Sequence, residues 1–378
     1  MKQKKILVMV THTLSEINVL FPLFSALLDN KNYQVKLVFT VKKIYEQYTN
    51  SSFYLYCEKT LGISSELNYI PNKFDLKEKK SSFFIHKIFK RVLYFLYVLK
   101  VFPRLSYKAF FSDILMHEFS NQHDSTKVFY LIQKISNKPI FTYHHGNEIS
   151  ITKTSYGFRK NSSKNTILLF DSHNVEYMQS MGYKKNVVVG YPIFFKEWLE
   201  LVNNYCLSKR YDNPSVLIYS RHVNEKYMDM DKYIYLLTTS LKVIREKFQD
   251  IQIVIKPHPR EDINFIKEII SNENIANVTI SFEHPAALAK NAIMAITFWG
   301  SVILESLSMK VPTVEYYKEA NRFREDYPNG SNYKAVGIHS VSSEDELRLF
   351  IDSVISNNYR FPEIIDEFKK IKNTTIFL

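Results

Sequence analysis

The chain has 378 residues, of which 46% are apolar and 23% charged, and its net charge is +12. That length is enough for two cores, and the composition excludes a disordered, collagen-like or disulfide-stapled protein. The basic balance fits a phosphate-bearing or anionic-membrane partner. No binding motif for nucleic acid accompanies the charge, so no nucleic-acid partner is expected. Cys57 and Cys206 are isolated and lack metal spacing, so a reducing cytoplasm is expected.

The opening MKQKKILVMVTHT turns polar after a short apolar run and shows no cleavage site, so it does not read as a secretory leader. Lys5–Val10 is predicted as a buried strand, followed by a loop carrying His12 and Glu16 and a helix over Ile17–Leu28. Tyr33–Thr40 returns as a strand. Strand, loop, helix, strand is the opening of a doubly wound sheet. Lys77 to Arg104 mixes Phe, Tyr and Leu with Lys79, Lys80, Lys87, Lys90, Arg91 and Lys100. It reads as a basic amphipathic segment suited to an anionic membrane face, although an ordinary domain helix has the same pattern. No run approaches the roughly 18 apolar residues that a membrane span requires.

Val128–Leu131, Pro139–Tyr143, Thr166–Phe170 and Asn186–Val189 are predicted as later strands. The second leads into His144-His145-Gly146-Asn147-Glu148 and the last into Gly190-Tyr191-Pro192. A helical connection over Phe194–Arg210 and a turn at Tyr211-Asp212-Asn213-Pro214 separate this half from a second alternation. There the predicted strands are Ser215–Tyr219, Ile251–Ile255, Val278–Phe282, Ile293–Thr297 and Thr313–Tyr316. Helices lie between them, and two more follow over Ser343–Ser356 and Pro362–Ile371. The expected fold is therefore α/β, with two Rossmann-like domains, 1–195 and 211–357, facing a central cleft. A C-terminal helix over about 358–378 is expected to cross back to the first domain.

The polar residues at strand ends are the candidate site. Lys256, His258, Pro259 and Arg260 follow a buried strand, where a cationic or hydrogen-bonding group can hold a phosphate as it leaves. Arg221 follows the first strand of the second domain. Gly300 and Ser301 open a helix, where a glycine lets the backbone approach a phosphate; Ser301 also fits a plain N-cap. Glu305 lies one turn further in a mostly apolar helix, placed to accept ribose hydroxyls. His145 is suited to acid–base work near neutral pH, with Glu16 and Glu148 as alternatives. Adjacent histidines without a third ligand do not make a metal site. There is no GxGxxG, Walker, HExxH or CxxC motif, so neither a cofactor nor a metal is expected.

These segments together resemble the GT-B type of nucleotide-dependent transferase. More narrowly they resemble CDP-glycerol glycerophosphotransferases and the CMP-sugar-dependent capsule and lipooligosaccharide transferases. His145-Gly146, Gly190-Tyr191-Pro192, Lys256 to Arg260 and Gly300-Ser301 occur in that family's order. The resemblance implies a metal-independent, inverting transfer of a sugar or a polyol phosphate from a nucleotide-activated donor, a CMP- or CDP-linked one, to a bacterial surface glycan or lipid-linked acceptor. It assigns catalysis and donor-phosphate binding to His145 and His258; the cysteines and the basic segment point to a cytoplasmic protein, peripheral on the inner membrane face. Phe298-Trp299-Gly300-Ser301 departs from the pattern, with one serine where the polyol-phosphate enzymes pair serines with an aspartate. Two other readings share the two-domain shape: a UDP-N-acetylhexosamine 2-epimerase, and a glycan- or nucleotide-binding protein without activity.

Overall fold

In a computed structural model of the protein, the described residues are 3–11, 13–28, 32–69, 92, 99, 101–118, 126–143, 165–172, 174–180, 183–209, 214–224, 228–317, 331–370 and 372. The chain divides into two compact units, Met1–Pro192 with Lys372–Leu378, and Ile193–Ile371.

The first unit is built on β1 (Lys4–Val10), whose last five residues are all buried. An uninterrupted apolar run of this kind suits a parallel strand covered on both faces. β1 lies between β2 (Tyr33–Phe39) and β4 (Ile114–Glu118), with Ile6 opposite both Val35 and Ile114. The full order is β3-β2-β1-β4-β5-β6-β7, with β3 Ser64–Leu67, β5 Ile140–Tyr143, β6 Thr166–Leu169 and β7 Lys185–Val188, every pair parallel. Helix α1 (Ser15–Leu27) follows β1. Helices α2 (Lys42–Thr49) and α3 (Ser52–Leu61) pack aromatic side chains onto the sheet, with Tyr48 4.7 Å from Phe39 between ring centroids.

One predicted strand is a helix. Val128–Leu131 lies inside α4 (Thr126–Ser136), which buries Val128, Phe129, Ile132 and Gln133. Spacings of four along that set mark one helical face, and the short apolar run alone did not distinguish helix from strand. The strand at this place in the sheet is β4, fully buried and ending in His117 and Glu118. The described part of the basic aromatic segment includes a helix over 101–110 that continues beyond it, with Tyr107 and Phe110 exposed. Among the described residues no helix is long and apolar enough to cross a membrane.

The second unit repeats the plan. β8 (Ser215–Tyr219) lies between β9 (Gln252–Lys256) and β11 (Ala292–Thr297), in the order β10-β9-β8-β11-β12-β13. The outer strands are β10 (Val278–Ile280), β12 (Thr313–Tyr316) and β13 (Ser340–Val341), again all parallel. After α5 (Val175–Ser180), which belongs to the first unit, the second unit's helices are α6 (Lys196–Lys209), α7 (Met230–Lys247), α8 (Ile263–Asn272), α9 (Pro285–Ala289), α10 (Val302–Ser308), α11 (Asn332–Ala335), α12 (Glu344–Ile355) and α13 (Ile364–Lys370) among the described residues. In α13, Phe368 packs 5.9 Å from Phe194 between ring centroids. In each sheet the strand order reverses beside a central strand, between β1 and β4 and between β8 and β11. Such switch points open a crevice at the carboxyl ends of the strands.

Gly190-Tyr191-Pro192 closes the first unit through a buried polar contact. Gly190 has φ 87°, a left-handed conformation that glycine adopts without a Cβ clash. Tyr191 then turns inward and donates its hydroxyl to Asp171 Oδ2 at 2.8 Å, while Asn174 donates to Asp171 Oδ1 at 3.2 Å. Tyr191→Phe removes a donor from a buried carboxylate. It should lower stability by roughly 2 kcal/mol, read as a lower urea midpoint with an unchanged slope.

Candidate functional site

Three strand ends converge at the switch point of the second sheet. Thr297 pairs with Tyr219, and Tyr219 with Lys256. Phe298 N donates to Tyr219 O at 3.0 Å and Ser220 N to Lys256 O at 3.2 Å. Residues 220–222, 257–261 and 298–301 therefore leave the sheet side by side. This register brings together Arg221, Lys256, His258, Pro259, Arg260, Gly300 and Ser301, all expected from the sequence.

Glu261 organises the turn after β9. Its carboxylate accepts from Ser220 Oγ at 2.8 Å, from Tyr233 OH at 2.7 Å and from the backbone N–H of His258. Burial raises its pKa, and these donors oppose the rise by favouring the charged form. His258 is fixed at both ends as a result. Arg260 N donates to His258 Nδ1 at 3.2 Å, which assigns the proton of the neutral ring to Nε2. Burial pushes the imidazole down to about 3, helped by His222, Arg221, Arg260 and Lys256. His258 is thus a neutral N–H donor set among cations. Lys256 donates to Phe282 O at 3.5 Å, and burial lowers it to about 8 against the pull of Glu283.

His222 stacks on His258, with ring centroids 4.5 Å apart and planes at 31°. Burial, Arg221 and Arg260 push it down to about 4. Its Nδ1 is buried with no hydrogen-bond partner among the described residues, which marks a polar atom placed for something other than the protein. Neither His222 nor Glu261 stands out in the sequence. His222 is one residue past Arg221 at a strand end, and that position was the only signal for it.

On β11's side of the crevice, the backbone differs from expectation. Trp299 has φ 64°, whereas Gly300 is not left-handed, and a Cβ on Gly300 would meet only Thr297 Oγ1 at 3.9 Å. Arg221 Nη1 donates to Trp299 O at 2.7 Å, and the guanidinium carbon lies 3.9 Å from the Trp299 ring centroid. Ser301 is the N-cap residue of α10 but makes no side-chain cap bond. Glu305 is buried on α10, where it helps burial raise the Tyr219 phenol above its ordinary range.

The first sheet's switch point carries carboxylates. Glu16, fully buried, accepts from Thr11 N at 3.0 Å and Thr13 N at 3.2 Å through Oε1, and from Tyr143 OH at 3.3 Å through Oε2. Burial raises the Tyr143 phenol well above its ordinary range, and the charges of Glu16 and Glu118 add to the rise. His117 bonds the Glu118 carbonyl through Nδ1 at 2.7 Å and the Tyr130 hydroxyl through Nε2 at 3.1 Å. Burial lowers it to about 4. Glu118 was missed because β4 itself was missed. His145 and Glu148 lie outside the described residues, as does nearly all of 77–100.

No family model matches the chain, and no curated protein matches it in sequence. Solved structures match its fold along its whole length. S. aureus MnaA with UDP is 13% identical, with a TM-score of 0.58 over 98% of this chain and 93% of that one. The UDP-GlcNAc 2-epimerase from Methanocaldococcus jannaschii is 15% identical, with a TM-score of 0.52 over 98% and 96%. A glycosyltransferase from Rickettsia africae ESF-5 is 16% identical, with a TM-score of 0.51 over 98% and 92%. The chain has the two Rossmann-like units of the GT-B fold.

The half-buried neutral histidine also affects stability. His258 takes up a proton near its ordinary 6.5 when unfolded but only near 3 when folded. Its contribution is therefore present above pH 6.5 and lost as pH falls toward 3. The urea midpoint should fall between pH 7 and pH 5, and His258→Asn should make that fall shallower. An unchanged slope would mean that His258 charges freely in the fold.

Proposed function

We propose that the protein is an enzyme acting on a nucleotide-activated sugar, and that the second unit binds the donor through its phosphates. The observation that carries this reading is His258, held as a neutral Nε2–H donor beside Arg221, Lys256 and Arg260 at a sheet switch point. A neutral donor hydrogen-bonds a phosphate oxygen at any pH above its own low pKa, while the neighbouring cations stabilise charge that develops on leaving. Ser301 adds a hydroxyl that does not cap its helix, and Glu305 is assigned to the ribose.

The reaction we favour is sugar transfer. An acceptor hydroxyl oxygen bonds to the anomeric carbon as the bond from that carbon to the donor phosphate breaks. The phosphate oxygen leaves with the electron pair, and the hydroxyl proton passes to a base. His145 is the proposed base, with Glu148 behind it. Glu16 is already bonded to two backbone N–H groups and Tyr143, so its part is to hold the β1–α1 turn. A single displacement inverts the anomeric centre. No metal enters this reading, because the chain's own cations meet the phosphate charge. The nucleotide is a pyrimidine one: the sequence resemblance supports CMP or CDP, and the UDP bound to S. aureus MnaA supports UDP. A glycan or lipid-linked acceptor fits the basic, aromatic composition of 77–104, which suits an anionic membrane face and a peripheral cytoplasmic placement.

A second reading, 2-epimerisation of a UDP-N-acetylhexosamine, is favoured by the first unit. Removing and returning a proton at carbon needs paired acid and base groups, and Glu16, Glu118 and Tyr143 bring buried ionisable groups to one switch point.

CMP-, CDP- and UDP-sugars should each be titrated against the melting temperature, and the stabilising donor incubated with and without acceptor glycans. The expected outcome is a saturable shift with one donor and release of free nucleotide only with acceptor, unaffected by EDTA. His258→Ala should weaken donor affinity by about tenfold or more with the unfolding midpoint at pH 7 nearly unchanged. A C2 epimer formed without acceptor would select the second reading, and the absence of any shift would overturn both.

A further inference from the structure

Arg221 stands where a phosphate ligand is expected, and there it engages Trp299. It contacts that residue twice, with a hydrogen bond to the Trp299 carbonyl at 2.7 Å and a guanidinium carbon 3.9 Å from the ring centroid. The first contact fixes the peptide that follows Trp299, and the second fixes its side chain. Trp299 is half-buried, and Tyr317, from the residue after β12, supports the same ring, with centroids 5.7 Å apart and planes at 31°.

The backbone explains why such a clamp is present. Trp299 has φ 64°. A bulky side chain in the left-handed region is strained, and such strain persists only where surrounding contacts over-determine it. Glycine, which would hold this conformation without strain, stands one position later, at Gly300, where φ does not call for it. The turn that carries Gly300 and Ser301 out of β11 is therefore not set by local preference. It is imposed by contacts from β8 and β12, at the point where the sheet order reverses.

We infer that Arg221 is a positioning residue, which holds Trp299 in its left-handed conformation and thereby sets the Trp299-Gly300-Ser301 turn for the donor. This rests on the nucleotide-binding reading of the second unit. It changes the role of Arg221 within that reading, since the guanidinium acts through Trp299 rather than on the phosphate. It also makes the side chain's shape, and not only its charge, the requirement. A lysine keeps the charge but cannot both lie flat on the indole and reach the carbonyl with a planar fork.

Two readouts test this separately. The chain has two tryptophans, and Trp198 is fully buried, so acrylamide-quenchable emission of the free protein reports Trp299. Arg221→Ala and Arg221→Lys should both increase quenching. Both should weaken UDP binding, measured by calorimetry, by a similar factor of roughly ten. Trp299→Gly removes the strain and the ring together, so in that background adding Arg221→Ala should cost little more. The clamp is overturned if Arg221→Lys leaves quenching and UDP affinity as in the wild type. It is equally overturned if Arg221→Ala costs the same factor with Trp299 or Gly at position 299, because Arg221 would then be a direct phosphate ligand. If the wild type binds none of UDP, CDP, CMP and UDP-N-acetylglucosamine, the functional reading falls, and quenching alone still decides whether Arg221 holds Trp299.

Discussion

The second unit's site depends on the carboxylate of Glu261. One half-buried carboxylate takes a hydroxyl from the end of β8, a phenol from α7 and the backbone N–H of His258. A charge taken out of water is tolerable only when its oxygens are filled in this way. The same bonds that settle Glu261 leave the turn after β9 little freedom. His258 inherits its position from that turn and its tautomer from Arg260 N. The turn that carries His258 is thus pre-organised by a residue that is itself turned toward the protein.

Both units solve one problem in the same way. A parallel sheet buried on both faces has polar groups to spare only at its ends, and it opens a crevice only where the strand order reverses. In the first unit that point carries the Glu16 carboxylate with Tyr143, next to Glu118; in the second it carries Arg221, Lys256, His258 and Arg260. The ionisable groups differ in sign while the scaffold is the same. This difference fits the proposed reading, in which the second unit meets the donor's phosphate charge.

The sequence was most legible where strands are long and apolar. KILVMV, SVLIY, IQIVIK and AIMAIT have no periodicity to misread, and the polar residues that follow them mark the sheet's carboxyl edge. It was least legible where a short apolar run has no context. Val128–Leu131 satisfies a strand template over four residues and lies in a helix, while the true neighbour of β1, ILMHE, ends in two ionisable residues that disguise it. Glu261 was hidden for another reason: its partners Tyr233 and Ser220 are 28 and 41 residues away. At the β11 turn, Gly300 drew attention to itself as the flexible position, but the left-handed residue is Trp299. No local rule reveals that, because the conformation is imposed by Arg221 from another strand.

The central claim is that a neutral His258, protonated at Nε2, meets the donor's phosphate. Histidine-selective 15N NMR at pH 6, with His258→Asn to assign the signal, tests it directly. An ordinary histidine would be largely charged at that pH. The account predicts a neutral ring with its proton on Nε2, and a shift of that resonance when the stabilising nucleotide among UDP, CDP and CMP is added. An imidazolium signal at pH 6, or a His258 resonance that does not move at saturating concentrations of any of the three, would contradict it.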